Sequence, residues 1–140
     1  LRTKNDESNY RPLDLVDEIG IKNCHVFSDF IPNEDVNKYF QVSDAILLFY
    51  SYATPSGVES LSYNFRLPVL ATKVGHFPET INDGIDGFLA EKDSLQSMLD
   101  TMIKSIENPI DKKMIDKKAN KMSWKNYAKA ILYKYPYSKN

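Results

Sequence analysis

The sequence predicts an α/β domain, a Rossmann-like parallel sheet flanked by helices, and three observations carry that reading. Ala45 to Phe49 is a continuous apolar run of the kind found in a parallel strand covered on both faces. After a polar elbow, Ser51 to Gly57, the residues Val58, Leu61, Ser62 and Phe65 recur at helical spacing, and Pro68 to Thr72 begins a second strand. Strand and helix patterns alternate over about ninety residues, and from Asp93 onward only helical patterns follow.

Composition sets the bounds. At 140 residues the chain is long enough for one domain with a real core and too short for two ordinary ones. Hydrophobic residues make up 42% and charged residues 26%, the proportions of a globular protein rather than a disordered one. The single cysteine, Cys24, excludes an internal disulfide framework and reads as a small buried hydrophobe. No apolar run is long enough to span a bilayer as a helix, and Leu1 to Asp6 is not a signal peptide. From Ile110 to Asn140 nine lysines face two aspartates, a local charge of +7 against −8 for the rest. These lysines suit the outer faces of terminal helices. They lack the interleaved aromatics of a single-strand binder, so no nucleic-acid partner is expected.

The elements follow in order. Pro12 suits a first helical turn, Leu15, Val16 and Ile19 give that helix an apolar edge, and Gly20 closes it. Cys24 to Phe27 reads as a short strand, and Ser28 to Pro32 as a loop. Asn33 starts a helix with Glu34 and Asp35 in its first turn and Val36, Tyr39 and Phe40 on its buried side. The strand–elbow–helix–strand unit comes next. A segment punctuated by Gly75 and Pro78 leads to the turn Asn82-Asp83-Gly84 and a short strand, Gly87 to Ala90. Leu95, Met98, Leu99, Met102, Ile103 and Ile106 mark an amphipathic helix ending near Asn108-Pro109. A short helix through Met114, Ile115 and Ala119 precedes a final one. Ser123 caps that last helix, which carries Trp124, Tyr127, Ala128, Ile131, Leu132 and Tyr135 on one face.

The elbow is the place to look for function. In a parallel sheet it lies at a strand's carboxyl end and a helix's amino end, where open α/β sheets take ligands and the helix dipole favours an anion.

Several ordered pieces now accumulate: Phe30-Ile31-Pro32, Tyr39 and Asp44 before the apolar strand, Ser56-Gly57 in the elbow, and Pro68-Val69 opening the next strand. Val74-Gly75 with Pro78-Glu79, Asp83-Gly84, Gly87-Phe88-Leu89 and the closing Ser123-Trp124 complete the set. The order and spacing resemble the carboxyl-terminal half of group 1 glycosyltransferases, the family 4 retaining enzymes with the two-domain GT-B fold. The resemblance covers nearly the whole chain.

It implies a partial donor-binding domain over residues 1–140, with the acceptor domain and the first βα units lying before Leu1. It also implies an enzyme that transfers sugar from a UDP- or GDP-sugar to an acceptor glycan or lipid-linked sugar, with retained configuration and without a metal or other cofactor. A bacterial setting in surface polysaccharide or glycolipid synthesis goes with it, in the cytoplasm or at the inner face of the membrane, with possible peripheral membrane association. Carried over by position, Thr54, Ser56, Gly57 and Val58 would contact the donor diphosphate, and Phe30 and Ile31 would lie near the base. No catalytic residue falls in this chain, so the piece alone is expected to be inactive.

Three departures qualify the match. The family's two glutamates, eight positions apart, fall on Ala53 and Leu61 here. The ribose ligand is therefore unassigned: Glu59 is acidic but two residues away, about 200° around a helix, so it should point elsewhere. His76 stands where a second glycine is common, and packing is its expected role, as it is for His25. Lys73 is expected to be solvated. The basic pair that neutralises the diphosphate in the family would also lie before Leu1. A nucleotide-sugar epimerase of the same fold, or a non-catalytic nucleotide-binding or regulatory α/β module, are the competing readings.

Overall fold

The computed structural model describes residues 16, 18–20, 22–27, 29–54 and 57–134. Pro12, Leu15, Ser28, Ser56 and Tyr135 lie outside the described residues. Contacts divide the chain into two units, residues 1–33 and 34–140.

In the first unit Val16, Glu18 and Ile19 are helical, and Gly20, at φ +70°, ends the turn by donating its N–H to the Val16 carbonyl at 3.0 Å. Cys24 to Phe27 form no strand, contrary to expectation, and Cys24 is exposed rather than buried. Four residues bury too little to fix an extended conformation, and a strand exists only where a neighbour completes its ladder.

The second unit contains α1 (Asn33–Val42, whose first residue belongs to the other unit), β1 (Ile46–Leu48), α2 (Gly57–Asn64), β2 (Val69–Thr72), α3 (Phe77–Thr80) and β3 (Gly87–Ala90). Then come α4 (Leu95–Glu107), α5 (Lys112–Lys121) and α6 (Trp124–Lys134). The three strands form a parallel sheet in the order β1-β2-β3, with Leu47 beside Leu70 and Leu70 beside Phe88. Every residue of β2 is buried, as a central strand requires. Among the described residues β1 lies at an edge of the sheet, and its Leu47 is 45% exposed, so the expected cover on both faces is not seen there. The core gathers Leu48, Tyr63, Val69, Val74, Phe77 and Ile115 on one side of the sheet.

Helix packing differs from the apolar periodicity in three places. α1 buries no residue fully, and Tyr39 is exposed, while Phe40 stacks on Phe65 at 5.3 Å between ring centres. α2 buries Glu59, Ser62 and Tyr63 instead of Val58 and Leu61. It can do so because the polar groups have partners: Glu59 meets His76, and the Ser62 hydroxyl donates to the Val58 carbonyl at 2.7 Å. α4 lies on the sheet through Ser94, Ser97, Met98, Thr101 and Ser105, leaving Leu95, Leu99 and Ile106 exposed.

Hydroxyl and carboxylate caps define the later helices. Ser94 accepts from the Ser97 N–H, Asp111 from Lys113, and Ser123 from Asn126. Behind α2 lies a buried polar cluster. Asp86 accepts from the Asn82 backbone N–H at 2.9 Å and side-chain amide at 2.6 Å, and it pairs with the Lys118 ammonium at 3.4 Å. Lys118 also donates to the Thr80 carbonyl and lies 5.3 Å from the Tyr63 ring centre. This ties α5 to the loop before β3 and to α2.

Burial, followed by the charges of Asp86 and Glu59, pushes the Tyr63 phenol far above its ordinary range. The folded state therefore keeps this proton where the unfolded chain releases it, and stability must fall as pH rises above about 10. The Tyr63 hydroxyl has no hydrogen-bond partner among the described residues. Tyr63→Phe is expected to leave urea stability at neutral pH within about 1 kcal/mol and to shrink the alkaline loss. An unchanged alkaline slope in the variant would show that Tyr63 is not its source.

Candidate functional site

β1 and β2 run parallel, so the chain leaving each of them emerges at one edge of the sheet. After β1 this is the elbow, running from Phe49 into the first turn of α2. After β2 it is the turn Lys73 to His76, which leads into α3.

Two contacts hold these segments together. The Thr72 hydroxyl donates to the Tyr50 carbonyl, fixing the start of the elbow to the end of β2. Gly75 lies so close to Ala53 that a Cβ placed on it would come within 2.2 Å of the Ala53 carbonyl oxygen. Its φ of +54° is also in the left-handed region, so glycine is required here on both counts. Ala53 is correspondingly buried, with 8% of its surface exposed.

Within this frame Thr54 and the first two α2 residues, Gly57 and Val58, are exposed along one elbow, while Ser56 lies outside the described residues. A Cβ on Gly57 would meet nothing within 4 Å among the described residues. The amino end of α2 supplies partial positive charge there. The sheet edge thus brings together three of the four residues assigned to a diphosphate. Phe30 and Ile31 belong to the other unit, where Phe30 is 84% exposed and Ile31 half-buried.

Glu59 turns inward, which the apolar spacing of the helix did not indicate, and only 3% of its side chain is exposed. Its Oε2 lies 2.8 Å from His76 Nε2. That partnership was not legible in the sequence: the two residues are seventeen apart, and they meet because the Gly75 turn folds back onto the elbow. Lys73 pairs with Glu91, and this hydrogen bond raises its pKa above the ordinary lysine value. His25 is exposed.

A cavity of about 620 Å³ lies at the opposite, amino edge of the sheet, lined by Phe40, Asp44, Ala45, Phe65 and Pro68 among others. Its position opposes the rule for open α/β sheets, in which ligands bind outside the carboxyl ends of the strands. Among the described residues no group of three or more His, Cys, Asp or Glu side chains comes together to hold a metal ion.

Comparison with known proteins agrees with this architecture. The family model described as glycosyl transferases group 1 matches residues 5–122, and the chain belongs to that family. The fold is the α/β architecture of GT-B glycosyltransferases. Sucrose-phosphate synthase from Thermosynechococcus elongatus superposes with a TM-score of 0.73 at 16% identity, over 87% of this chain and 32% of that one. Anabaena HepE in complex with UDP and glucose gives 0.61 at 22% identity, over 87% and 30%. The same protein in complex with UDP-glucose gives 0.62 at 21%, over 87% and 31%. The chain thus spans about a third of the length of these structures. A search of curated proteins gives no match.

Gly75 carries the geometry of this edge. Gly75→Ala is expected to lower stability by about 2 kcal/mol or more, from combined strain and overlap, in urea unfolding. A variant as stable as the parent would mean that the turn does not pack on Ala53 as described.

Proposed function

We propose that this chain is the donor-binding part of a glycosyltransferase, and that the elbow holds the diphosphate of a UDP- or GDP-sugar. The observation that carries this reading is the exposed amino end of α2 at the carboxyl edge of the sheet. There Thr54, Gly57 and Val58 line the carboxyl edge of the sheet in a chain of the group 1 glycosyltransferase family. HepE, whose structures contain UDP and UDP-glucose, has a similar fold and supports a nucleotide-sugar donor.

In this reading the residues bind and orient the donor. The helix amino end attracts the diphosphate, and charge growing on that leaving group during transfer is stabilised by dipoles already aligned. Transfer proceeds with retained configuration to a glycan or lipid-linked acceptor and needs no metal. The pathway is bacterial surface polysaccharide or glycolipid assembly, in the cytoplasm or at the inner face of the membrane. Because Ala53 and Leu61 occupy the positions of the family's usual glutamates, Thr54, Ser56 and backbone groups would take over donor contacts here. The same substitution supports a second reading, a module that binds nucleotide without catalysing transfer.

Gly57→Asp tests the elbow directly, since a Cβ there meets nothing within 4 Å among the described residues and the new carboxylate adds negative charge at the helix amino end. Ligand-observed NMR should show UDP or GDP bound by the parent chain and bound about tenfold or more weakly by the variant. Equal binding by both proteins would remove the elbow from the site.

A further inference from the structure

A groove of about 460 Å³ separates the outer face of α2 from the start of α6. Ser60 and Asn64 form its α2 wall, and Met122, Ser123, Trp124 and Tyr127 form the other. The donor-binding reading makes no use of Ser123-Trp124, although the sequence singles that pair out. Both walls are held from behind. Ser62 and Tyr63 are buried on the inner side of α2, which leaves Ser60 half-buried and Asn64 exposed. α5 is anchored by Ile115, which is 1% exposed, and by the pairing of Lys118 with Asp86. Its end passes directly into α6: the Met122 N–H donates to the Lys118 carbonyl at 3.0 Å, and the Asn126 side-chain amide donates to the Asn120 carbonyl at 2.6 Å. Trp124 and Tyr127, three positions apart, share one face of α6, with ring centres 5.9 Å apart and planes at 88°.

The lining has a definite chemistry. Trp124 and Tyr127, 85% and 60% exposed, supply aromatic surface. The Ser60 hydroxyl, the Asn64 amide, the Trp124 indole N–H and the Tyr127 phenol supply donors and acceptors. None of these four side chains has a hydrogen-bond partner among the described residues. No lining residue is charged, and the neighbouring Lys121 and Lys125 are exposed outside the lining. A phosphate, a nucleic acid or an acidic lipid would find no counter-charge in the groove. A neutral sugar matches it: the C–H faces of the ring pack on the aromatic surface, and its hydroxyls pair with the uncharged polar groups.

The groove is continuous with the elbow. Gly57, Ser60 and Asn64 are spaced i, i+3 and i+7, so they share one face of α2, and Asn64 lies about 10 Å along the axis from Gly57. We propose that this groove is a second saccharide site, which holds a neutral sugar unit of a glycan on the same helix that offers its amino end to the donor. Its ligand carries no nucleotide, so the inference goes beyond the donor-binding reading and stands or falls separately from it.

Trp124 is the single tryptophan of the chain, so its fluorescence reports on the groove without a label. The 140-residue chain is titrated with neutral tetrasaccharides of glucose, of galactose and of mannose. At least one of them is expected to shift the Trp124 emission to the blue and to protect it from acrylamide quenching. Asn64→Ala and Tyr127→Ala, both at exposed positions and checked for parent-like circular dichroism, should each weaken that binding about fivefold or more and leave UDP binding unchanged. No response to any of the three sugars, or equal affinity in the parent and both variants, overturns the inference. Emission that shifts with protein concentration alone also overturns it, because another protein surface then covers the groove. Failure to bind UDP alongside saccharide binding counts against the elbow and leaves the groove standing.

Discussion

Full enclosure of β2 is the constraint on which the candidate site depends. It is paired along both edges, to β1 and β3, and buried at all four residues. Its carboxyl end is therefore the fixed point of the sheet, and the adjoining segments are set by it. Thr72, the last residue of β2, binds the Tyr50 carbonyl at the start of the elbow, and three residues later Gly75 packs on Ala53 in the middle of it. The described start of the elbow, from Tyr50 to Ala53, is thus held against the end of the central strand.

The same edge shows how polar groups enter a small core. α2 turns a glutamate, a serine and a tyrosine inward: the Gly75 turn brings His76 to Glu59 and the helix backbone accepts from Ser62, while the Tyr63 hydroxyl has no hydrogen-bond partner among the described residues. Asp86 is satisfied by Asn82 and Lys118, whereas one oxygen of Glu59 has no partner among the described residues. A fully paired cluster behind the helix and a partly paired one beside the elbow are physically different. The first fixes α5 against the sheet. The second leaves one carboxylate oxygen without a partner among the described residues.

Much of the fold was legible in local sequence. The runs at Ile46–Leu48, Val69–Thr72 and Gly87–Ala90 became the three strands, Gly20 closed its helical turn, and Ser123 capped the last helix. What failed depended on surroundings. Cys24 to Phe27 has strand-forming residues and no strand, since pairing is a property of two segments. α4 has a strong apolar stripe, yet its less exposed positions are Ser97, Met98, Thr101 and Ser105, while Leu95, Leu99 and Ile106 are exposed. In the candidate site, the elbow itself followed from chain order, but the inward turn of Glu59 did not follow from the apolar spacing of α2. The Glu59–His76 contact did not, because it requires the left-handed turn at Gly75.

The central claim is that the ligand edge of this chain is the carboxyl edge of its sheet, between the elbow and the turn after β2. Backbone amide NMR during a UDP titration tests it most directly. The account predicts the largest shifts at Thr54, Gly57–Glu59 and Gly75–His76. Shifts concentrated instead at the opposite edge, around Ala45, Phe65 and Arg66, would contradict it.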